Sequence, residues 1–236
     1  MRLDKYLADM QIGTRSQVKE LIRKGKVLVD DIKIMSPEFK VDENSTVKVD
    51  NQIVGYASVE YYLLNKPDGV LSATYDKNTK TVLDLIESKK RKDLFPVGRL
   101  DKDTHGLLII TNDGELAHKL LSPKKHVDKV YFARINGRVW DKHIEEFASG
   151  ITLEDGLVTM PAHLNIIKSS DISEIELTIH EGKFHQVKRM FEAIGCEVIY
   201  LQRIAFGPIK LDTSLAEGEY RALTDEEIKQ LYEATN

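Results

Sequence analysis

The chain has 236 residues, of which 42% are hydrophobic and 31% charged, and its formal net charge is −4. This length and apolar content suit one large domain or two smaller domains with buried cores. The sequence has no stretch near the roughly 18 apolar residues of a membrane span, no apolar signal-peptide centre and a single cysteine, Cys196, so we expect a cytoplasmic protein without membrane segments or disulfides.

Residues 1–50 combine helical and strand patterns in a small unit. Apolar residues at helical spacing predict a first helix over residues 3–10. Thr14 and Gln17 have the spacing of a capping box and predict a second helix that ends at Gly25. Short alternating segments predict strands at residues 27–29, 32–34 and 47–49. A unit of this size is close to the lower limit for an independently folding domain.

Basic residues are concentrated in this amino-terminal region although the whole chain is acidic. Residues 1–28 contain seven lysines or arginines and three acids. Arg15, Lys19 and Arg23 recur every fourth residue and form one stripe, and Lys26 adds a cation beyond the helix end. A basic stripe is most often a solvated helix face, but this one has almost no acidic partners at i,i+4 spacing. Its cations therefore predict contact with a nucleic-acid phosphate backbone.

Residues 51–59 have the composition of a linker, and residues 60–236 have the pattern of a strand-rich α+β domain. Apolar and alternating runs predict strands at residues 61–64, 70–73, 97–100, 107–110, 130–135 and 175–179. Helices are predicted from the capping-box pair Asn112 and Glu115 to about residue 121, over residues 186–194, and after Thr224.

Two carboxylates, Asp101 and Asp103, lie in the polar segment from Gly98 to Thr104 between two apolar runs. A loop held by buried strands is a common place for functional residues. A polar turn whose aspartates bond their own backbone is the more frequent meaning of such a segment. The loop alone leaves both interpretations open.

Two further segments contain residues that could bind a base or a phosphate. Lys129 and Tyr131 share one face of a predicted strand, so the ring could stack on a base while the cation holds phosphate. A tyrosine packed over a lysine stem fits the same pattern. In the helix after residue 186, Lys188 flanks the apolar face and can meet a carboxylate such as Asp101, whereas Arg189 points outward to solvent or phosphate.

A metal site is not expected. His180 and His185 are five residues apart with Gly182 between them. A zinc-protease helix needs histidines four apart on one face. The sequence has no CxxC pair or other ligand cluster.

In their order along the chain, these segments resemble the RsuA-type bacterial ribosomal RNA pseudouridine synthases. Residues 1–50 resemble the small alpha-L RNA-binding domain named after ribosomal protein S-four. The matching motifs are Asn65-Lys66-Pro67-x-Gly69, Gly98-Arg99-Leu100-Asp101 with its continuation to Gly114, Lys129-x-Tyr131, and His185-Gln186-Val187-Lys188-Arg189-Met190. The resemblance implies an α+β protein in which the RNA-binding domain precedes a catalytic domain with a mixed, mainly antiparallel sheet.

The resemblance also implies roles for individual residues. Asp101 would be the catalytic carboxylate, Tyr131 the tyrosine that stacks on the base, and Lys188 the basic partner of Asp101. Family members often have arginine where this chain has Lys188, and lysine offers a point charge in place of a bidentate fork. Asp103 would mainly shape the loop, and Arg99 would hold the loop or a phosphate.

The implied reaction is the isomerisation of a specific uridine in 16S ribosomal RNA, with the base flipped out of the stack. Asp101 could act as a nucleophile or as a base. The expected partner is ribosomal RNA or an assembling subunit, the expected state is a monomer, and no cofactor or metal is expected because the reaction has no redox or hydrolytic step. Three alternatives stay open: a sister enzyme acting on 23S RNA, a non-catalytic RNA-binding assembly factor, and a metal-dependent nuclease that uses Asp101 and Asp103.

Overall fold

A computed structural model describes residues 1–42, 44–56, 59–122 and 125–235. The chain folds into two compact units, one comprising Met1–Glu60 and Glu87–Leu94 and the other comprising Tyr61–Ile86 and Phe95–Asn236. Within the described ranges, no helix has the length and apolar character needed to cross a membrane.

The amino-terminal unit packs two helices on a small antiparallel sheet. The helices are α1 (Leu3–Asp9) and α2 (Arg15–Arg23), and the strands are β1 (Val27–Val29), β2 (Ile32–Lys33), β3 (Val47–Val49) and β4 (Gln52–Ile53), in the order β2-β1-β3-β4. The predicted capping box is confirmed, since the Thr14 hydroxyl accepts from the Gln17 amide and the Gln17 side chain accepts from the Thr14 amide. Apolar residues from both helices and the sheet form one core.

The segment predicted as a linker is partly structured. Strand β4 pairs with β3 through a turn in which Asp50 and Asn51 both have positive φ, of 45° and 65°. That backbone suits a tight hairpin, because its twist matches the twist of the strands. Residues 57 and 58 lie outside the described residues.

Residues 87–94 belong to the amino-terminal unit although they interrupt the other one. The Arg91 guanidinium donates to the Tyr56 hydroxyl at 2.9 Å and to both carboxylate oxygens of Asp93, at 2.8 and 2.6 Å. The composition of residues 87–94 does not indicate that they belong to the amino-terminal unit, because the contact with Tyr56 joins residues far apart in the chain.

In the part of the chain that the structure describes, the second unit is built on a nine-stranded sheet. Its strands are β5 (Tyr61–Lys66), β6 (Phe95–Pro96), β7 (His105–Thr111), β8 (Lys129–Asn136), β9 (His163–Lys168), β10 (Ile172–Ile179), β11 (Glu197–Phe206), β12 (Ile209–Lys210) and β13 (Tyr220–Ala222). Among the described residues its helices include α3 (Gly114–Leu121), α4 (Lys142–Ser149), α5 (Gln186–Ala193) and α6 (Asp225–Glu233), with a short 3-10 helix at Val82–Leu85.

The strand order is β13-β5-β7-β11-β8-β10-β9, with β6 paired to β7 and β12 to β11. The β7–β11 pair is parallel, and the other described pairs of this sheet are antiparallel. The predicted mixed, mainly antiparallel sheet is therefore confirmed.

One row of paired residues crosses the middle of this sheet. Lys66 of β5 lies opposite Gly106 of β7, Gly106 opposite Arg203 of β11, and Arg203 opposite Tyr131 of β8. The row joins the start of β7, just after the segment with the two aspartates, to the tyrosine singled out by sequence.

Two predicted strands, at residues 70–73 and 97–100, are wrong. Leu71 makes a single bridge to Thr81, and residues 97–100 form no strand, although the two residues before them, Phe95–Pro96, do. The chain turns at Gly98, whose φ is +77°, and the Leu100 backbone then bonds a side chain instead of a neighbouring strand.

The start of α3 also differs from its prediction. The N-cap is Asp113, whose carboxylate accepts from the Leu116 amide at 3.0 Å, and not Asn112. Both residues suit an N-cap, so sequence alone could not separate two adjacent candidates. The capping box at Thr224 is confirmed.

Gly106 carries a prediction about the parallel pair. Its φ is +96°, and a β-carbon there would lie 2.4 Å from the Arg203 carbonyl oxygen and 3.0 Å from the Arg203 amide nitrogen. Backbone atoms of a central strand cannot move aside, so Gly106→Ala should lower the free energy of unfolding by about 2 kcal/mol or more in urea denaturation.

Gly156→Ala is the matched control, because Gly156 has φ +80° and no atom within 4 Å of a built β-carbon. Gly156→Ala should lower the free energy of unfolding only by the cost of the backbone conformation, about 1 kcal/mol. Equal losses for the two variants would contradict the steric argument.

Candidate active site

The segment with the two aspartates is anchored by a buried lysine. Lys66 ends β5 with 0% of its surface exposed. Its ammonium donates to the carbonyl oxygens of Pro67 at 2.9 Å, Lys102 at 3.0 Å and Thr104 at 2.9 Å. An ammonium has three N–H donors, so each is used. Burial lowers the pKa of Lys66 to about 8, because the charged form is removed from water.

A buried serine holds the other side of the segment. The Ser72 hydroxyl donates to the Leu100 carbonyl at 2.8 Å and accepts from the Leu100 amide at 3.1 Å. The Thr104 amide donates to the Asp101 carbonyl at 3.1 Å and closes the turn. The backbone is thus fixed immediately before and after Asp101.

The Asp101 carboxylate faces two basic side chains. Its side chain is 30% exposed, and one oxygen lies 3.5 Å from Lys188 Nζ while the other lies 3.8 Å from His185 Nε2. Lys188 is closer to Asp103, to which it donates at 2.6 and 2.8 Å. The predicted neighbourhood of Lys188 and Asp101 is present, but the hydrogen bonds of Lys188 go to Asp103.

Asp103 is therefore more than a turn residue. Partial burial by itself would raise the pKa of Asp103. The hydrogen bonds and charge of Lys188 outweigh this effect and hold the pKa below its usual value. Asp103 and Asp101 together bracket one cation. This arrangement keeps the lysine ammonium beside Asp101 in the absence of a bidentate arginine fork.

Tyr131 meets this group at a small cavity of about 60 Å³. Its side chain is buried on β8, and the cavity is also lined by Asp101, Thr104, His185 and Lys188. A larger cleft of about 730 Å³ shares Asp101 and His185 with the small cavity. The structure thus brings the three residues predicted as catalytic, Asp101, Tyr131 and Lys188, to one place.

Lys129 does not match its predicted contact with phosphate. It shares the inward face of β8 with Tyr131, as predicted, but is only 5% exposed. Its ammonium donates to the Val127 carbonyl at 3.1 Å and lies 5.4 Å from the centre of the Phe206 ring. Burial lowers the pKa of Lys129 to about 8. Lys129 and Tyr131 share the face of β8 that packs on the core, so the lysine side chain is buried in the wall of the cleft.

Of the other predicted RNA contacts, two are paired with carboxylates. Arg15 and Arg23 are exposed on α2 with Lys19 half-buried between them, and Arg99 is exposed at the cleft. Lys26 lies 3.2 Å from Asp50, and Arg189 lies 2.5 Å from Asp155. Neither ion pair could be predicted from sequence, because each joins residues from separate segments of the chain.

Sequence reasoning missed the site roles of Ser72 and His185. His185 has left-handed backbone angles, φ 48° and ψ 33°, at the start of α5, and from sequence it is recognisable only as a member of a motif. Ser72 lies in a segment predicted as a strand, where a serine has no special meaning. The roles of Ser72 and His185 become recognisable only when the position of the loop that carries Asp101 is known.

Lys66→Met tests the anchoring of the loop. The substitution keeps the length of the side chain and removes the donors of three carbonyls. An unsatisfied buried group costs about 1–3 kcal/mol, partly offset here because no cation is buried, so we expect a net loss of about 2 kcal/mol in urea denaturation. Lys77→Met, at an exposed lysine of the same unit, should stay within about 0.5 kcal/mol. Equal stability of the two variants would show that the ammonium does not hold the loop.

Comparison with known proteins finds two family models that match separate parts of the chain. The family model described as RNA pseudouridylate synthase matches residues 60–193, and the model of the S4 domain matches residues 1–47. An RNA pseudouridine synthase of Bacillus subtilis is 46% identical, with 99% of each chain covered.

Relatives with named substrates are nearly as similar. Ribosomal small subunit pseudouridine synthase A of Vibrio cholerae is 41% identical, with 98% of this chain and 100% of the relative covered. Ribosomal large subunit pseudouridine synthase B of Bacillus subtilis is also 41% identical, with 98% and 95% covered. A crystal structure described as a pseudouridylate synthase has a TM-score of 0.69 at 35% identity and covers 98% of this chain and 99% of its own.

Proposed function

The chain belongs to the RNA pseudouridylate synthase family, and on that premise we propose that it isomerises a specific uridine of 16S ribosomal RNA to pseudouridine. The observation that carries the proposal is the anchored Asp101, which lies beside a cavity lined by Tyr131 and within 4 Å of Lys188 and His185. A carboxylate held in this way can meet the sugar of a nucleotide that has left its stack.

The reaction breaks the N1–C1′ bond, turns the uracil and forms a C5–C1′ bond. The C5 proton is released, and N1 takes up a proton, so the net change is an isomerisation. The Asp101 carboxylate either attacks C1′ and is later displaced, or removes a sugar proton and later returns it. Both routes place its oxygens beside the sugar, and both return the carboxylate unchanged.

The surrounding residues have separate tasks in this proposal. The Tyr131 ring supports the detached uracil by its face and keeps it beside the sugar. Lys188, bracketed by Asp101 and Asp103, positions the carboxylate and offsets its charge beside a phosphate-rich substrate. Isomerisation involves no redox or hydrolytic step, so the proposal includes no metal and no cofactor.

The proposed substrate is RNA in the cytoplasm, either as ribosomal RNA or as an assembling subunit, and the proposed acting form is a monomer. Arg15, Lys19 and Arg23 on α2 would bind the phosphate backbone. Relatives named as small-subunit enzymes support 16S RNA. The equal identity of a large-subunit enzyme makes a 23S uridine the second candidate.

Release of tritium from RNA labelled at uridine C5 tests the reaction. The wild-type protein should release tritium from 16S RNA or small-subunit particles, and Asp101→Asn should lower the rate at least about 1,000-fold, because the amide can neither attack nor take a proton. Asp103→Asn should lose less, since its amide oxygen can still accept from Lys188 and the Asp101 carboxylate is intact. Asp76→Asn, at an exposed aspartate of the same unit, should match the wild type.

Other outcomes of that assay favour the alternatives. Release from 23S RNA alone would move the proposal to the large subunit, and RNA binding without release would favour an assembly factor. Cleaved RNA on a denaturing gel would favour a nuclease. Mapping the modified nucleotide identifies the uridine.

Removal of the basic stripe tests RNA binding by the amino-terminal unit. The triple substitution Arg15→Gln, Lys19→Gln and Arg23→Gln should weaken RNA binding, and each lost phosphate contact should reduce the slope of log K against log salt by about 0.7–0.9. Filter binding at several salt concentrations measures both. Lys24→Gln is the control, because Lys24 is paired with Glu20 at 2.6 Å. An unchanged slope in the triple variant would assign the stripe to solvent.

A further inference from the structure

A large aromatic side chain is left open to solvent beside the proposed site. Phe184 is 74% exposed and lies between β10 and α5. Its ring stacks on the His185 ring, with centroids 3.8 Å apart and planes 17° apart. An exposed phenylalanine held flat against another ring is a surface to which a further planar group can be added at little conformational cost.

The ring is close to the reacting carboxylate. His185 Nε2 lies 3.8 Å from an Asp101 oxygen, and Phe184 stacks on that same imidazole. The His185 imidazole thus lies next to both the Phe184 ring and the Asp101 carboxylate. It lines the 730 Å³ cleft, whereas His185 and Asp101 line both that cleft and the smaller cavity that contains Tyr131.

The cleft around Phe184 is suited to an anion with planar groups. Its lining includes the cations Arg99, Lys102, Lys129 and Lys183 and the single carboxylate of Asp101. Arg99 and Lys102 are exposed, while Lys183 pairs with Glu181 at 3.0 Å. Exposed cations beside an exposed aromatic ring are the usual means of holding single-stranded nucleic acid, and an apolar protein segment would offer no counter-charge to Arg99 and Lys102.

We propose that Phe184 is a stacking platform for the nucleobase next to the target uridine. The inference rests on the proposed function, because it assumes that a uridine is withdrawn into the cavity beside Tyr131. When that base leaves the stack, its neighbour loses a stacking partner. The Phe184 ring replaces that partner, and Arg99 and Lys102 hold the phosphates of the splayed strand.

A fluorescence experiment tests the contact without requiring turnover. The chain has one tryptophan, Trp140, which is 51% exposed and outside the lining of the cleft. In the double variant Phe184→Trp/Trp140→Phe the single tryptophan is at position 184, in the cleft. The wild-type protein, whose single tryptophan Trp140 lies outside the cleft lining, is the matched control. On titration with a 16S RNA transcript, the emission of the double variant should be quenched saturably, and that of the wild type should change little. Unchanged emission of the double variant would overturn the proposal.

Kinetics separate stacking from simple apolar contact. Phe184→Leu should reduce kcat/KM for tritium release at least about fivefold, the lower end of the effect of losing one base–aromatic stack, whereas Phe184→Tyr should stay within about twofold. Trp140→Leu, the control at another exposed aromatic, should also stay within about twofold. Full activity of Phe184→Leu would overturn the proposal. Failure of the proposed function would be seen differently, as the absence of tritium release from the wild type.

Discussion

The site depends on three hydrogen bonds from the buried Lys66 ammonium to the backbone of its own turn and of the segment that carries Asp101. Burying a cation is costly, and among the described residues no carboxylate is bonded to this one; carbonyl dipoles take the place of a counter-ion. The arrangement requires that β5 and β7 be neighbours, since Lys66 lies opposite Gly106, just after the segment ends. The register of the β5–β7 pair therefore determines where the loop that carries Asp101 lies.

The same register connects the loop to the rest of the site. The row from Lys66 through Gly106 and Arg203 to Tyr131 spans four adjacent strands, and Gly106 allows the Arg203 backbone to approach closely. The carboxylate and the tyrosine are therefore set by one rigid sheet, whereas Lys188 comes from α5. Because its ammonium is held by Asp103, the helix is also tied to the loop. Placement of this kind lowers the entropic cost of bringing reacting groups together.

Much of this organisation could be predicted from sequence. The Thr14 and Thr224 caps, the helix before Gly195 and the strand with Lys129 and Tyr131 follow from local patterns that the structure reproduces. Apart from the choice between Asn112 and Asp113 as N-cap and the hairpin strand β4, the failures are cases in which a distant partner decides. Ser72 converts a predicted strand into a loop brace, the core face of β8 buries Lys129, and Asp103 takes the hydrogen bonds expected at Asp101.

The central claim is that backbone restraint on both sides of Asp101 gives its carboxylate a fixed position for chemistry. Ser72→Ala tests it most directly, because it removes the bonds to Leu100 without altering any group beside Asp101. Single-turnover tritium release at saturating enzyme should fall about tenfold or more, while the Kd for RNA stays unchanged, since a misplaced carboxylate slows the chemical step and not binding. A wild-type single-turnover rate in this variant would contradict the account.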